Sequence, residues 1–312
     1  MQDELLRLCE DFVANRNAVK TAIRGQNRRI YSVCASIFCG RGQTARPEVL
    51  RDTHALLKEK AGPFSSFRGN LTAPMACLLA CGMFPVRHMD MAVRYYERLA
   101  EDFYRTEQLA LAAFLLPDMI PEEYLDELID RSRGIFSRMK RAHPFLTSSH
   151  DSIFALLLAF SPKRVEDIAE DTEQCYRLLR RLYGSGSSIR TVASILAVQN
   201  DAPADKAERL ASMVQALQMR KAKFGKGLEL APLAAMADVS VPAQQVAEDI
   251  LDAEAFLSRQ RGYRAVTRRE RLMTAAMIVS GRVDPGRDAE MASLLAVLAL
   301  VAAEQAAAAA AA

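Results

Sequence analysis

The sequence predicts an all-α protein: an α-solenoid of about seven stacked helical hairpins followed by an alanine-rich C-terminal helix. The alternative is that the same helix pairs close into an α/α toroid. A short apolar run recurs about every 40 residues, and longer amphipathic segments lie between its copies. Runs of alternating β-branched residues bounded by turn pairs, which indicate strands, are not found in the sequence.

The recurring run mixes Ala, Ser and Cys with Leu, Met and Phe, and it ends at Gly, Pro, Asn or Asp. Such a run predicts a short helix that is apolar on most sides and ends at a helix stop. Its copies are Ser32–Gly40, Met75–Gly82, Leu109–Pro117, Phe154–Pro162, Val192–Asn200, Leu230–Asp238 and Met273–Gly281. A helix of this kind needs neighbours on both sides, and stacked repeats provide them.

The intervening segments are longer and carry one apolar stripe. In Val165–Leu182, for example, Ile168, Cys175 and Leu179 recur at helical spacing on an otherwise charged helix. Similar segments are Met89–Phe103, Glu123–Met139, Ala204–Met219 and Val246–Leu257. No Pro-, Ser- or Gly-rich linker divides them, so we expect one continuous domain over residues 1–312.

The last segment, Met291–Ala312, is apolar and long enough to span a bilayer. Glu304 and Gln305 interrupt it, and alanine is a strong helix former of weak hydrophobicity. We therefore expect a terminal helix packed on the last repeat and no membrane partner.

The charge balance is nearly even, with 41 Lys and Arg against 38 Asp and Glu for a net charge of +3. This balance disfavours nucleic acid or an anionic membrane as the partner. The six cysteines lack the spacing of a zinc site, and in apolar runs they are typical small hydrophobic residues. Free cysteines and the absence of an N-terminal secretory signal indicate a cytoplasmic protein, and no motif implies a metal or cofactor.

The most distinctive polar residues lie in loops that precede the apolar helices. The simplest interpretation is that these residues cap helices and pack between repeats. The alternative is an anion site, because helix N-termini aligned at one edge of a repeat array attract negative charge. The candidate ligand-binding residues are Ser66, Arg68, Asn70, Ser149, His150, Asp151 and Lys226.

Three functions stay open on the sequence alone. The leading one is a non-enzymatic scaffold that binds a protein or peptide, including one with an acidic or phosphorylated segment. The second is a protein or enzyme that binds a small molecule or anion in a pocket rimmed by those loops. The third is nucleic-acid binding through the arginine-rich segment Arg259–Arg271, for which a solvated hairpin is the simpler explanation. No residue is assigned a catalytic role. Ser149 and His150 are neighbours in the sequence, but a catalytic pair is recognised by its geometry and not by sequence adjacency.

Two stretches, FSSFRGN (Phe64–Asn70) and HPFLTSSHD (His143–Asp151), resemble the uncharacterised bacterial family labelled domain of unknown function 4003. The overall size and the alanine-rich C-terminal segment are also similar to that family. The resemblance covers nearly the whole chain and implies an α-helical, cytoplasmic bacterial protein without an assigned activity. In the family pattern an acid commonly stands at the position of His150, so a shared site that uses this carboxylate would be altered here.

Overall fold

The structure is a computed structural model that describes residues 2–62, 65–145, 147 and 151–281. Within these ranges the chain forms fourteen α-helices and a few 3-10 turns, without a β-strand. The prediction of an all-α fold is confirmed. The alanine-rich segment Met291–Ala312 lies outside the described residues.

Long helices with one buried face alternate along the chain with short helices that are buried on most sides. The long helices are α1 (Asp3–Ala22), α3 (Pro47–Lys60), α5 (Pro85–Leu99), α7 (Leu125–Ala142), α9 (Val165–Tyr183), α11 (Pro203–Met219) and α13 (Ala243–Arg259). The short helices are α2 (Arg28–Gly40), α4 (Thr72–Cys81), α6 (Glu107–Leu115), α8 (Ser152–Leu158), α10 (Ser187–Val198), α12 (Ala231–Ala234) and α14 (Arg268–Ser280). Each short helix overlaps one of the seven predicted apolar runs, as a helical repeat requires.

The chain forms two compact units. The N-unit comprises Arg16–Phe38 and Ala45–Glu170, and the C-unit comprises Met1–Asn15, Cys39–Thr44 and the described part of Asp171–Ala312. In the N-unit, α3 packs on α4, α5 on α6 and α7 on α8, while α3–α5 and α6–α8 contacts join successive pairs. In the C-unit, α11 packs on α12 and α13 on α14, and α12 contacts both α10 and α14. A single domain over residues 1–312 stays a prediction.

Burial on all sides explains the composition of the short helices. Every residue of α8, from Ser152 to Leu158, is buried, and eight residues of α4 are buried. Each fully buried Leu or Ile stabilises the fold by about 1.5–3 kcal/mol relative to an exposed one. The small residues between them, such as Ala155, let neighbouring helices approach closely.

The C-terminal carbonyl oxygens of the short helices are satisfied by side chains of the long helices. The last carbonyls of any helix lack an intrahelical donor, and burying them unpaired costs about 1–3 kcal/mol each. Within a helix pair, such contacts join His88 Nε2 to Phe114 O at 2.7 Å, Arg131 Nε to Ala159 O at 3.1 Å and Arg209 Nη1 to Ala237 O at 3.2 Å. Thr53 on α3 also donates to a carbonyl inside α4, that of Ala76, at 3.0 Å.

Arg131 makes the most extensive of these contacts. Its guanidinium donates to three acceptors beyond α8: Ala159 O at 3.1 Å, Ser161 O at 2.8 Å and Lys163 O at 2.9 Å. A cation at the negative end of the α8 dipole is favourable as well. The side chain therefore fixes the end of α8 and the turn towards α9.

We expect Arg131→Met to lower the free energy of unfolding by about 1–3 kcal/mol, because three carbonyl oxygens lose a charged donor while the aliphatic stem remains. Denaturant unfolding followed by far-UV circular dichroism measures this change. Arg138→Met on the same helix is the matched control, since its guanidinium pairs with the exposed Glu166 and such pairs contribute no more than about 1 kcal/mol. Equal losses in the two variants would contradict the capping role.

Candidate functional site

A cavity of about 560 Å³ in the C-unit concentrates positive charge. Five cationic side chains, two apolar ones and a glycine form its lining: Lys221, Lys223, Phe224, Gly225, Lys226, Arg268, Arg269 and Leu272. We call this the basic cavity. Its volume falls within the roughly 300–1,000 Å³ of small-molecule sites. The lining joins the loop between α11 and α12 to the first turn of α14, which are corresponding positions in two consecutive repeats.

The end of α11 places the first lysine. The amide of Ala222 donates to Leu217 O at 3.0 Å and the amide of Lys221 donates to Gln218 O at 2.9 Å. These two bonds define a Schellman motif, whose left-handed position is usually glycine. Lys221 occupies that position with φ 56°, and no other non-glycine residue in the described ranges has a positive φ.

The loop that follows is shaped by packing and by two glycines. Phe224 is 9% exposed, so its ring anchors the loop while Lys223 and Lys226 on either side remain exposed. Gly227 has φ +68°, where a β-carbon would lie 3.2 Å from Ser188 Cβ. A side chain at this glycine would be both strained and crowded.

The first turn of α14 supplies the two arginines. Thr267 caps the helix, because its side chain accepts a hydrogen bond from the amide of Glu270. Arg268 Nη1 donates to Lys221 O at 3.3 Å, which ties α14 to the end of α11. Arg268 Nε also lies 3.6 Å from Glu254 Oε2.

The electrostatics of the basic cavity are unbalanced. Arg269 Nε lies 2.5 Å from Glu229 Oε2, and this pair is more than half exposed on the arginine side. Within the described part of the chain, no carboxylate pairs with Lys221, Lys223 or Lys226. The three lysines are exposed and line the cavity without an ion-pair partner among the described residues.

Glu229 lies where an anion would sit in the loop. A β-carbon built on Gly225 would fall 1.2 Å from Glu229 Oε2, so the carboxylate lies directly over this glycine. The absence of a side chain at Gly225 makes that position available. The protein thus places one negative charge against two residues of the cavity lining, Gly225 and Arg269.

The corresponding loop of the N-unit shows the same arrangement with a different carboxylate. A β-carbon on Gly69 would fall 2.0 Å from Glu107 Oε1, and the amide of Leu71 donates to Glu107 Oε2 at 3.3 Å. Thr72 Oγ1 accepts from the amide of Gly69 at 2.7 Å and donates to Phe67 O at 3.0 Å. The loop before α4 therefore holds an anion, and this anion comes from α6.

The predicted site residues of this N-unit loop have structural partners. Tyr96 donates its hydroxyl to Ser66 Oγ at 2.7 Å, with the Tyr96 ring edge-on to Phe67 at a centroid distance of 5.1 Å. Arg68 donates from Nε to Ala61 O at 3.2 Å and also to Lys58 O, so it caps the end of α3. Asn70 is exposed, and α4 begins after it at Thr72.

The remaining predicted residues divide between the two units. Asp151 is buried directly before α8 in the N-unit, whereas Lys226 lines the basic cavity of the C-unit. Ser149 and His150 lie outside the described residues. A joint ligand-binding role for the seven candidates stays a prediction.

A protein-family model matches residues 15–306, and its description is protein of unknown function, DUF4003. The chain belongs to this family. The match includes both loops described above and all residues of the basic cavity. No curated protein and no solved structure matches the chain.

Four of the five cations in this DUF4003 chain are not among the predicted site residues. Lys223 is the first residue of the loop that contains Lys226 (Lys223–Pro232), and Lys221 precedes that loop. Arg268 and Arg269 belong to the arginine-rich segment that suggested nucleic-acid binding. The lysines of this loop and the two arginines are about one repeat apart in sequence. A comparison of corresponding loops in consecutive repeats would indicate that they lie close together.

The cysteines of the chain are not arranged as a reactive site. All six cysteines are free thiols, and burial raises the pKa of Cys9 to about 12 and that of Cys39 to about 11. Burial and a hydrogen bond with Cys34 raise the pKa of Cys77. In the described ranges no group of three His, Cys, Asp or Glu side chains is placed to hold a metal ion, and no helix there is long and apolar enough to cross a membrane.

We expect Lys221→Gly to raise the free energy of unfolding by about 0.5–1 kcal/mol. The left-handed conformation costs a non-glycine residue roughly 1–2 kcal/mol, and the greater chain entropy of glycine offsets only part of that. Denaturant unfolding measures the gain, and Lys221→Ala is the control because it removes the charge but keeps the strain. Identical stabilities of the two variants would show that the conformation carries no cost.

We expect Cys9 and Cys77 of the folded protein to resist modification by a disulfide reagent at pH 8, because their raised pKa values leave almost no thiolate, the reactive form. Mass mapping after brief labelling measures this, with the denatured protein as the fully labelled control. Rapid labelling of both thiols before unfolding would show that they are accessible and ionised.

Proposed function

We propose that this DUF4003 protein is a non-enzymatic helical-repeat binding protein, which holds an acidic or phosphorylated segment of a protein partner in the basic cavity. One observation carries the proposal. Five cationic side chains share one cavity of about 560 Å³, and its three lysines have no carboxylate partner in the described ranges. Such an arrangement attracts and orients negative charge.

The chemistry of the lining supports binding rather than catalysis. None of the eight lining residues is His, Cys, Ser, Asp or Glu. General acid–base and nucleophilic catalysis most often use such groups, and a lysine serves as a nucleophile only when its pKa is lowered, for example by burial, whereas the three lysines here are exposed. Protonated lysines and arginines act instead as hydrogen-bond donors and fixed charges.

A protein segment fits the cavity better than a nucleic-acid backbone does. Phosphate-backbone binding uses cations spread along an extended face. Here Arg271 Nε lies 2.7 Å from Glu254 Oε1, and Arg268 and Arg269 each face a carboxylate as well. Within the basic cavity, the cations without a carboxylate partner in the described ranges are the lysines of a single loop, which suits a short anionic segment.

The setting of the cavity also agrees with a binding role. Helical repeats present loops and surfaces from successive repeats to a partner, and the basic cavity is built from two consecutive repeats of the C-unit. Six free cysteines suit a reducing compartment, so we place the protein in the bacterial cytoplasm.

The test measures binding of a fluorescein-labelled peptide, with either five glutamates or glutamates plus one phosphoserine, by anisotropy. We expect the double variant Lys223→Gln, Lys226→Gln to bind about tenfold more weakly than wild type, because each lost charge contact contributes on the order of 0.5–1 kcal/mol. The matched control changes two exposed residues at the end of α7, Lys140→Gln and Arg141→Gln, and should bind like wild type.

A labelled 20-base-pair duplex is titrated in parallel over a range of salt concentrations. If neither peptide binds, or if both double variants bind as wild type does, the proposal is wrong. Tighter binding of the duplex, with a steep salt dependence that Arg261→Gln and Arg264→Gln reduce, would replace it by nucleic-acid binding.

A further inference from the structure

We infer that the ligand of the basic cavity is a phosphoryl dianion, which displaces Glu229 from Arg269 when it binds. The inference rests on the proposed function, because it concerns the same cavity. It adds the chemical group that binds, a phosphoryl dianion, and the carboxylate that competes with it, that of Glu229. It does not depend on whether the phosphoryl group belongs to a protein or to a small molecule.

The charge count favours a doubly charged ligand. Five cations line the basic cavity, and the structure sets two carboxylates against them, Glu229 and Glu254. Glu254 lies on α13 and also pairs with Arg271, so it remains committed to holding α14. A phosphoryl group carries close to two negative charges at neutral pH and accepts through three oxygens, which suits several donors better than one carboxylate does.

The donor set has the composition of a phosphate site. Guanidinium groups offer paired N–H donors that match phosphoryl oxygens, and lysines add mobile point charges. Arg268 and Arg269 are the first two residues of the thirteen-residue helix α14, so the positive end of its dipole adds to the two side chains. In the described ranges no acceptor is bound to the amides of these two residues.

Glu229 marks the position of the anion. Its carboxylate lies over Gly225 and 2.5 Å from Arg269 Nε, in contact with the cavity that the cations line. Glu107 over Gly69 is the same arrangement in the N-unit, where the carboxylate also accepts from a loop amide. The two loops differ in charge: only the C-unit loop combines its carboxylate with the surplus of lysines.

The contact between Glu229 and Arg269 is weak enough to exchange. The Arg269 side chain is 59% exposed and that of Glu229 is 21% exposed, so water reaches the pair and screens part of its attraction. An entering dianion offers Arg269 a stronger partner and gains the three lysines as well.

The experiment titrates the full-length protein with inorganic phosphate and, separately, with sulfate, by calorimetry at pH 7.5 and pH 5.5. We expect Glu229→Gln to bind phosphate about threefold to tenfold more tightly than wild type at pH 7.5, because the internal competitor is lost. Glu248→Gln is the matched control, since Glu248 pairs at 2.5 Å with Arg220 on the same unit but outside the cavity. It should bind phosphate as wild type does.

The pH comparison identifies the dianion. Inorganic phosphate is mainly a dianion at pH 7.5 and almost entirely a monoanion at pH 5.5, so its affinity should fall between the two, whereas sulfate stays doubly charged and reports any change in the protein. The charged groups of the cavity are three lysines and two arginines, and the carboxylates that face them are Glu229 and Glu254, so no histidine takes part. Thermal melts of Glu229→Gln and Glu248→Gln confirm folding. If Glu229→Gln fails to fold, Lys226→Gln tests the inference instead, because loss of this lysine should weaken phosphate binding.

Unchanged phosphate affinity in both Glu229→Gln and Lys226→Gln overturns the inference, as does equal pH dependence of phosphate and sulfate. If phosphate binds as expected but neither labelled peptide binds, the inference stands and the protein-partner proposal fails. If the glutamate peptide binds and phosphate does not, the partner proposal stands and the dianion inference fails.

Discussion

The fold depends on how the carbonyl ends of buried helices are satisfied. A short helix with neighbours on all sides gains apolar contacts but cannot expose its last carbonyl oxygens to water. In several repeats a long helix meets that need with one polar side chain in its apolar face, such as His88, Arg131 or Arg209. In the C-unit Lys206, fully buried, also donates to Gln199 O at 2.9 Å beyond the end of α10. The helix pair, and not the single helix, is therefore the stable element.

The N-terminal ends of the short helices need hydrogen-bond acceptors, whereas their C-terminal ends need donors. Their loops present amides that need acceptors, and the loops before α4 and α12 both have a glutamate placed over a glycine. Before α4 the carboxylate of Glu107 satisfies the loop and leaves it without surplus charge. Before α12 the carboxylate of Glu229 faces a surplus of cations, and this surplus is the basis of the proposed anion site. The same placement of a glutamate over a glycine thus occurs in two loops of different charge.

This difference explains which features can be predicted from the sequence. The apolar runs are visible because burial on all sides leaves hardly any polar residue in them, and the all-α repeat follows from their spacing. Arg131 is not identifiable, because it looks like any charged residue of an amphipathic helix until the packing of α8 brings three carbonyls to it. Lys226 stands out because it lies in a loop before a short helix. Arg268 and Arg269 stand out only as members of a charged run, since their contact with that loop spans about one repeat.

Lys221 is the residue whose conformation points most directly to function. Ordinary selection for stability places glycine at the left-handed position of a Schellman motif, because any side chain there strains the backbone. The chain instead carries a lysine whose charge lines the basic cavity and whose carbonyl accepts from Arg268. Backbone strain is retained where the local structure serves something other than stability. Neither helix packing nor an ion pair with the described residues requires the ammonium group of Lys221, and the proposed anion would give this group a partner.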